Sequence, residues 1–202
     1  SLGWFDDPLL STMLSGSDTR LAAYLIHELA HQRVYTGDDA MFNEAYASFV
    51  EGIGVRTWLE SAGRMEDFQD WQRRQNAGKN FTSLVGQVYA ELNGLYQSDL
   101  PETAKRHKKS EIFQSLLNSY QALVADKWDG LSYYENWFSE PLNNAKFALY
   151  NTYEGGQCAF QQLWEEAGGH AREFHSLAEQ KAGLEKEQRQ KWLNQTCEPW
   201  KP

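Results

Sequence analysis

The stretch Leu25-Ile-His-Glu-Leu-Ala-His-Gln32 decides how the rest of the chain is read. It sets a His-Glu-x-x-His pattern inside a run, Leu21 to Ala30, that is otherwise almost wholly apolar. On a helix, His27 and His31 stand one turn apart and point the same way. Two imidazoles so placed can hold one Zn²⁺ ion, while Glu28, turned about 100° round the axis, faces the water such a site activates. Zinc hydrolysis needs that division of labour: neutral ligands for the ion, and a carboxylate beside it to take a proton from water. Average residue usage gives the pattern by chance in roughly one chain of this length in a few hundred. The competing reading is a pair of core histidines satisfied by hydrogen bonds, with Glu28 at the surface. Leu21, Ala22, Ala23, Leu25, Ile26, Leu29 and Ala30 leave almost no solvent-facing stripe. An acid and two imidazoles buried there need a strong partner, and a metal supplies one.

The flanking residues frame this stretch as a helix. Ser17 or Asp18 can cap it, it runs to about Val34, and Gly37 in Thr36-Gly-Asp-Asp39 suits its end. A second helix is expected from Met41–Asn43 to about Ala62, with Phe42, Tyr46, Phe49, Val50, Ile53, Val55 and Trp58 buried on most sides. It carries two carboxylates, Glu44 and Glu51, seven residues apart on one face and about 10 Å apart along the axis. If the turn folds this helix back over the first, Glu44 lies roughly opposite His31 and Glu51 opposite His27. A catalytic zinc takes three protein ligands and leaves a place for water, so only one of the two is needed. Spacing leaves both open.

Beyond Gly63 a long polar helical region runs from about Met65 to Tyr96, with a break expected at Gly78 and Asn80. Pro101 opens a helix carrying Ile112, Leu116, Tyr120, Leu123 and Val124 on one face. An aromatic loop with Tyr133, Tyr134, Trp137 and Phe138 comes next, and either lines a substrate pocket or packs over the core. Short helices follow at about Leu142–Tyr153, Gln157–Ala167 and His170–Gly183, then a polar tail helix to Thr196. With β-alternation almost absent, the chain is read as mainly α. It is read as one domain over 1–202: an extended entry at 1–16, a metal-binding helix pair at 17–62, and a helical remainder at 63–202.

The 202 residues, 41% hydrophobic, suffice for a sizeable core. A net charge of −9 argues against a nucleic-acid partner and an anionic membrane surface. No apolar run is long enough to span a bilayer. Cys158 and Cys197, the only cysteines, form either one disulfide or two free thiols.

His27-Glu-x-x-His31 followed by Asn43-Glu-Ala-Tyr-Ala47 resembles the gluzincin peptidases, whose Asn-Glu-x-x-Ala motif supplies a metal-binding glutamate. The gap between the motifs is shorter here than is usual for them. A wider resemblance, through Leu2-Gly-Trp-Phe-Asp-Asp-Pro-Leu-Leu-Ser-Thr-Met-Leu14, the HELAHQ stretch, Phe42-Asn-Glu44 and Leu142-Asn-Asn-Ala145, is to a bacterial family of predicted zinc aminopeptidases. That family's Gly-Gly-Asp segment is Gly168-Gly169-His170 here. These resemblances imply a zincin-like helical domain holding one Zn²⁺ ion and hydrolysing peptides or small proteins. They imply a location in the bacterial cell envelope or periplasm. They imply Glu44 as third ligand, leaving Glu51 to orient a histidine, to bind substrate or to stand simply as a helix-surface carboxylate, and Tyr153 as oxyanion donor. Tyr150 is the reserve donor, His170 and His175 are weaker ones, and Asn143 and Asn144 either hold substrate backbone or cap a helix. Two alternatives stand beside a peptidase. One is a non-catalytic envelope or scaffold domain keeping the motif as a structural or vestigial metal site; the other is a hydrolase of non-peptide amides.

Overall fold

The computed structural model describes residues 16–143, 146–147 and 156–194. Within them the chain is mainly helical, with no strand. It divides into two compact units, Ser1–Trp71 with Tyr153–Pro202, and Gln72–Thr152.

The first unit is built on an antiparallel helix pair. Helix α1 (Asp18–Arg33) starts where the Ser17 hydroxyl accepts the Arg20 N–H, and Asp18 in its first turn complements the helix dipole. Helix α2 (Ala40–Ser61) starts where the Asp39 carboxylate accepts the Phe42 N–H at 3.1 Å. The two helices approach closely: a side chain added at Gly54 would meet Ile26 Cγ2 at 2.9 Å. Ala23, Val55, Leu59 and Phe68 close a small core at that end. Arg64 ties the start of α1 to the next helix by pairing with both Asp18 and Asp67.

On its other side α2 meets helices α5 (Gln157–Glu166), α6 (Ala171–Ala182) and α7 (Lys186–Leu193). The core there is aromatic: Phe42, Tyr46, Phe49, Phe160 and Phe174 interlock with Leu163 and Leu193. Gly156, which starts α5, is wedged into it. Its φ is +81°, and a Cβ there would lie 2.7 Å from Leu193 Cδ2 and 2.9 Å from Ala45 Cβ. Left-handed strain and overpacking add, so Gly156→Ala is expected to cost about 2–4 kcal/mol in a urea melt. Gly86→Ala, in open space on a helix, should instead be neutral or stabilising by about 0.5 kcal/mol.

The second unit holds most of helix α3 (Met65–Gln97), and helix α4 (Glu102–Lys127). The expected break at Gly78 and Asn80 is absent, and α3 runs through both. A mid-helix glycine costs about 1 kcal/mol, less than is gained by burying Ala77, Phe81, Val85 and Val88 along one stripe. The missing side chain at Gly78 also admits Tyr134, whose hydroxyl lies 3.2 Å from where a Cβ would sit and whose ring stacks on Phe81 at 4.1 Å. The aromatic loop, partly a 3₁₀ turn at Glu135–Phe138, packs on this core through Tyr133, Tyr134, Trp137 and Phe138. Asn143 accepts the Lys146 N–H through its side chain, a capping bond.

Candidate metal centre

Helix α1 presents His27 and His31 on one face, ring centroids 4.9 Å apart and the planes at 80°. Because α2 runs antiparallel, it lays Glu44 and Glu51 along that face. Glu44 spans both imidazoles, with Oε2 3.3 Å from His27 Nε2 and Oε1 3.7 Å from His31 Nε2. Glu51 sits behind the first histidine, its Oε2 3.0 Å from His27 Nδ1. His27, His31 and Glu44 thus bring together three atoms able to ligate a metal, all within 4.8 Å of one another. Glu28 lies near enough to act electrostatically on both imidazoles.

A tetrahedral zinc ion with ligands at roughly 2.0–2.1 Å keeps its donor atoms roughly 3.3 Å apart. The imidazole–carboxylate spacings are close to that, and the two Nε2 atoms face the same carboxylate. Glu51 takes the other nitrogen of His27, as a ligating imidazole requires of its outer partner. The residues present therefore fit the ion.

The electrostatics separate the two histidines. The hydrogen bond to Glu51, chiefly, raises the His27 pKa above its ordinary value against the effect of burial. Burial lowers that of His31, against Glu44.

The face of α1 beyond the cluster departs from expectation. Leu25 and Leu29 are 37% and 59% exposed, so a solvent-facing apolar stripe exists and the histidines are not enclosed from every side. An apolar run gives no direction, and α2 covers only the face carrying Ala23, Ile26 and Ala30.

His175 is drawn into different company. Its Nδ1 lies 2.8 Å from the hydroxyl of buried Tyr46, beside the Arg33–Glu179 ion pair. Burial, then Arg33, lower its pKa, while Glu179 acts the other way. Between that lowered value and the ordinary 6.5, the unfolded chain holds the proton and the folded one does not. Stability from this residue is therefore complete above pH 6.5 and lost as pH falls through the folded value. In the metal-free protein His175 therefore costs stability as pH falls from 7 to 5, while His27, with its raised pKa, acts the other way; His175→Gln should shift the balance of stability toward pH 5 relative to wild type, in melts across the range. His170 is exposed at the start of α6, after Gly168 and Gly169, both at positive φ.

Tyr153, Tyr150 and Asn144 lie outside the described residues, as do Trp4 and Phe5. Cys158 is disulfide-bonded, and Cys197, the chain's only other cysteine, lies outside the described residues. No helix among the described residues is long and apolar enough to cross a membrane.

A family model described as "Putative aminopeptidase" matches residues 1–193. The chain belongs to that family. No curated protein and no solved structure matches this aminopeptidase-family chain.

Two residues near the site have tasks that the sequence patterns do not announce. Asn43 is buried, and its side chain binds Thr36 in both directions: Oδ1 accepts the Thr36 N–H at 2.9 Å and Nδ2 donates to the Thr36 carbonyl at 2.8 Å. This gives the asparagine beside Glu44 a structural role, since it pins the start of α2 to the turn after α1. The other is Arg189, in the polar tail helix, which reaches the same turn.

Proposed function

We propose that the chain is a zinc metallopeptidase of the gluzincin type, with a zincin-like fold, acting as an aminopeptidase. The observation that carries this is the joint placement of His27, His31 and Glu44 with Glu28 on the adjoining position of α1. A bound zinc ion supplies Lewis acidity, polarising a carbonyl and making water acidic near neutral pH.

The chain's residues do the rest. His27, His31 and Glu44 hold the ion, with the His27 tautomer set by Glu51, which accepts the Nδ1 proton and leaves the Nε2 lone pair free. A Glu28 carboxylate oxygen removes the proton from the attacking water and passes it to the departing amine, so the base is regenerated. Tyr153 donates to the oxyanion, with Tyr150 in reserve and Asn144 on the substrate backbone. The bonded Cys158 supports an oxidising setting such as the cell envelope.

The test is a comparison of peptides with free and acetylated N-termini on zinc-loaded protein. Release of N-terminal residues from the free peptides, lost on chelation, restored by zinc and at least about tenfold slower after acetylation, is expected. Each tenfold corresponds to about 1.4 kcal/mol of amine recognition. Equal cleavage of both at internal bonds would make the enzyme an endopeptidase. No cleavage of either would defeat the peptidase reading.

A further inference from the structure

Five polar or charged residues among those described are buried, and four of them, Thr36, Asp39, Asn43 and Arg189, belong to one network at the turn joining α1 to α2. Asp39 and Arg189 are the two buried charges. Arg189, 3% exposed and reaching in from α7, sends Nε to Asp39 at 2.9 Å and Nη2 to Asp38 at 2.6 Å. Its Nη1 donates to the carbonyls of Ala182 and Leu184, and the guanidinium lies over the Phe42 ring. Asp39 uses one oxygen for Arg189 and the other to cap α2.

Stability alone is a poor account of this arrangement. Apolar residues of similar volume commonly replace a buried ion pair without loss, whereas the pair adds a directional constraint on register. The constraint falls between His31 and Glu44. Thr36 is pinned by Asn43, and Asp38 and Asp39 by Arg189, while Leu193 of α7 lies in the same buried core as Ala45, next to Glu44. Both anchors of α7 therefore bear on the stretch of α2 that carries the ligand.

We propose that Arg189 is a positioning residue for the metal centre: by clamping the turn it sets where the Glu44 carboxylate stands against His27 and His31, so zinc affinity and the order of α7 are coupled. This rests on the zinc reading above. Coupling is reciprocal, so zinc must in turn steady α7.

The experiment measures zinc affinity, by competition with a chromophoric chelator, on folded wild type, Arg189→Lys and Asp38→Asn, together with amide exchange with and without zinc. Arg189→Lys keeps the charge but loses the fork, and is expected to weaken zinc binding roughly 5–10-fold, below the 10–100-fold range for groups that touch a ligand directly. Asp38 is 57% exposed, so Asp38→Asn leaves the buried pair intact and should fold even where Arg189→Lys does not; it is expected to weaken binding a few-fold. In wild type, zinc should slow exchange in α7 beyond any slowing in α6, and that excess should vanish in the variants. A merely structural clamp would lower the unfolding midpoint while leaving the affinity of the folded variants within twofold and α7 no more protected than α6. That result overturns the inference alone. A wild type that takes up no zinc overturns it together with the zinc reading.

Discussion

Glu28→Gln is expected to abolish peptide hydrolysis while the protein still binds one equivalent of zinc. The amide matches the carboxylate in size, so α1 and the two imidazoles keep their places, but it cannot accept a proton from water at neutral pH. General-base catalysis contributes about 10²–10⁴-fold, so the residual rate should lie near the detection limit of a peptide assay. Turnover should fall far more than KM rises, because the lost interaction belongs to the transition state. Normal cleavage by Glu28→Gln, at full metal content, would remove Glu28 from the mechanism. Loss of zinc along with activity would mean that Glu28 has a ligand role instead.

The second large effect is on the metal. Structural zinc sites, with four protein ligands, bind with about 10–16 kcal/mol in apparent free energy, so one ligand accounts for roughly 2.5–4 kcal/mol. Glu44→Ala should therefore weaken zinc binding by about 10²- to 10³-fold, and zinc should be lost on dialysis. Glu51→Ala should do less, about 10–100-fold, because it releases the Nδ1 side of His27 and not a ligand atom. The ranking of these two variants separates the carboxylates that spacing alone leaves open. The reverse ranking would make Glu51 the ligand and Glu44 its support.

The helix pair is legible where a boundary has a local chemical cause. Ser17 caps α1 through its hydroxyl as its position suggests, whereas α1 ends at Val34 rather than at Gly37, and Asp39, which the sequence reading passes over, caps α2. The apolar pattern of α2 marks burial on most sides, and Phe42, Tyr46 and Phe49 are in the core. Other features depend on contacts between distant residues. Gly78 and Asn80 resemble a break, and only the stripe of Ala77, Phe81 and Val85, with Tyr134 filling the glycine gap, shows why α3 continues. The boundary between the two units falls inside α3, so no change of composition marks it. Arg189 lies in Glu185-Lys-Glu-Gln-Arg-Gln-Lys191, a segment that looks like a solvated helix. Its burial follows from Asp38 and Asp39, about 150 positions earlier, and no local pattern announces a pair of that separation. Leu25 and Leu29 err the other way, since an apolar stretch does not say which of its faces another helix covers.

The proposed function stands on one zinc ion held by His27, His31 and Glu44. X-ray absorption at the zinc edge, on protein loaded with one equivalent and freed of excess metal, reads that ion's neighbours. Four or five nitrogen and oxygen neighbours at about 2.0–2.1 Å are expected, with the multiple scattering of two imidazoles and no sulfur. A spectrum without imidazole scattering, or a protein that retains no zinc after the excess is removed, would contradict it.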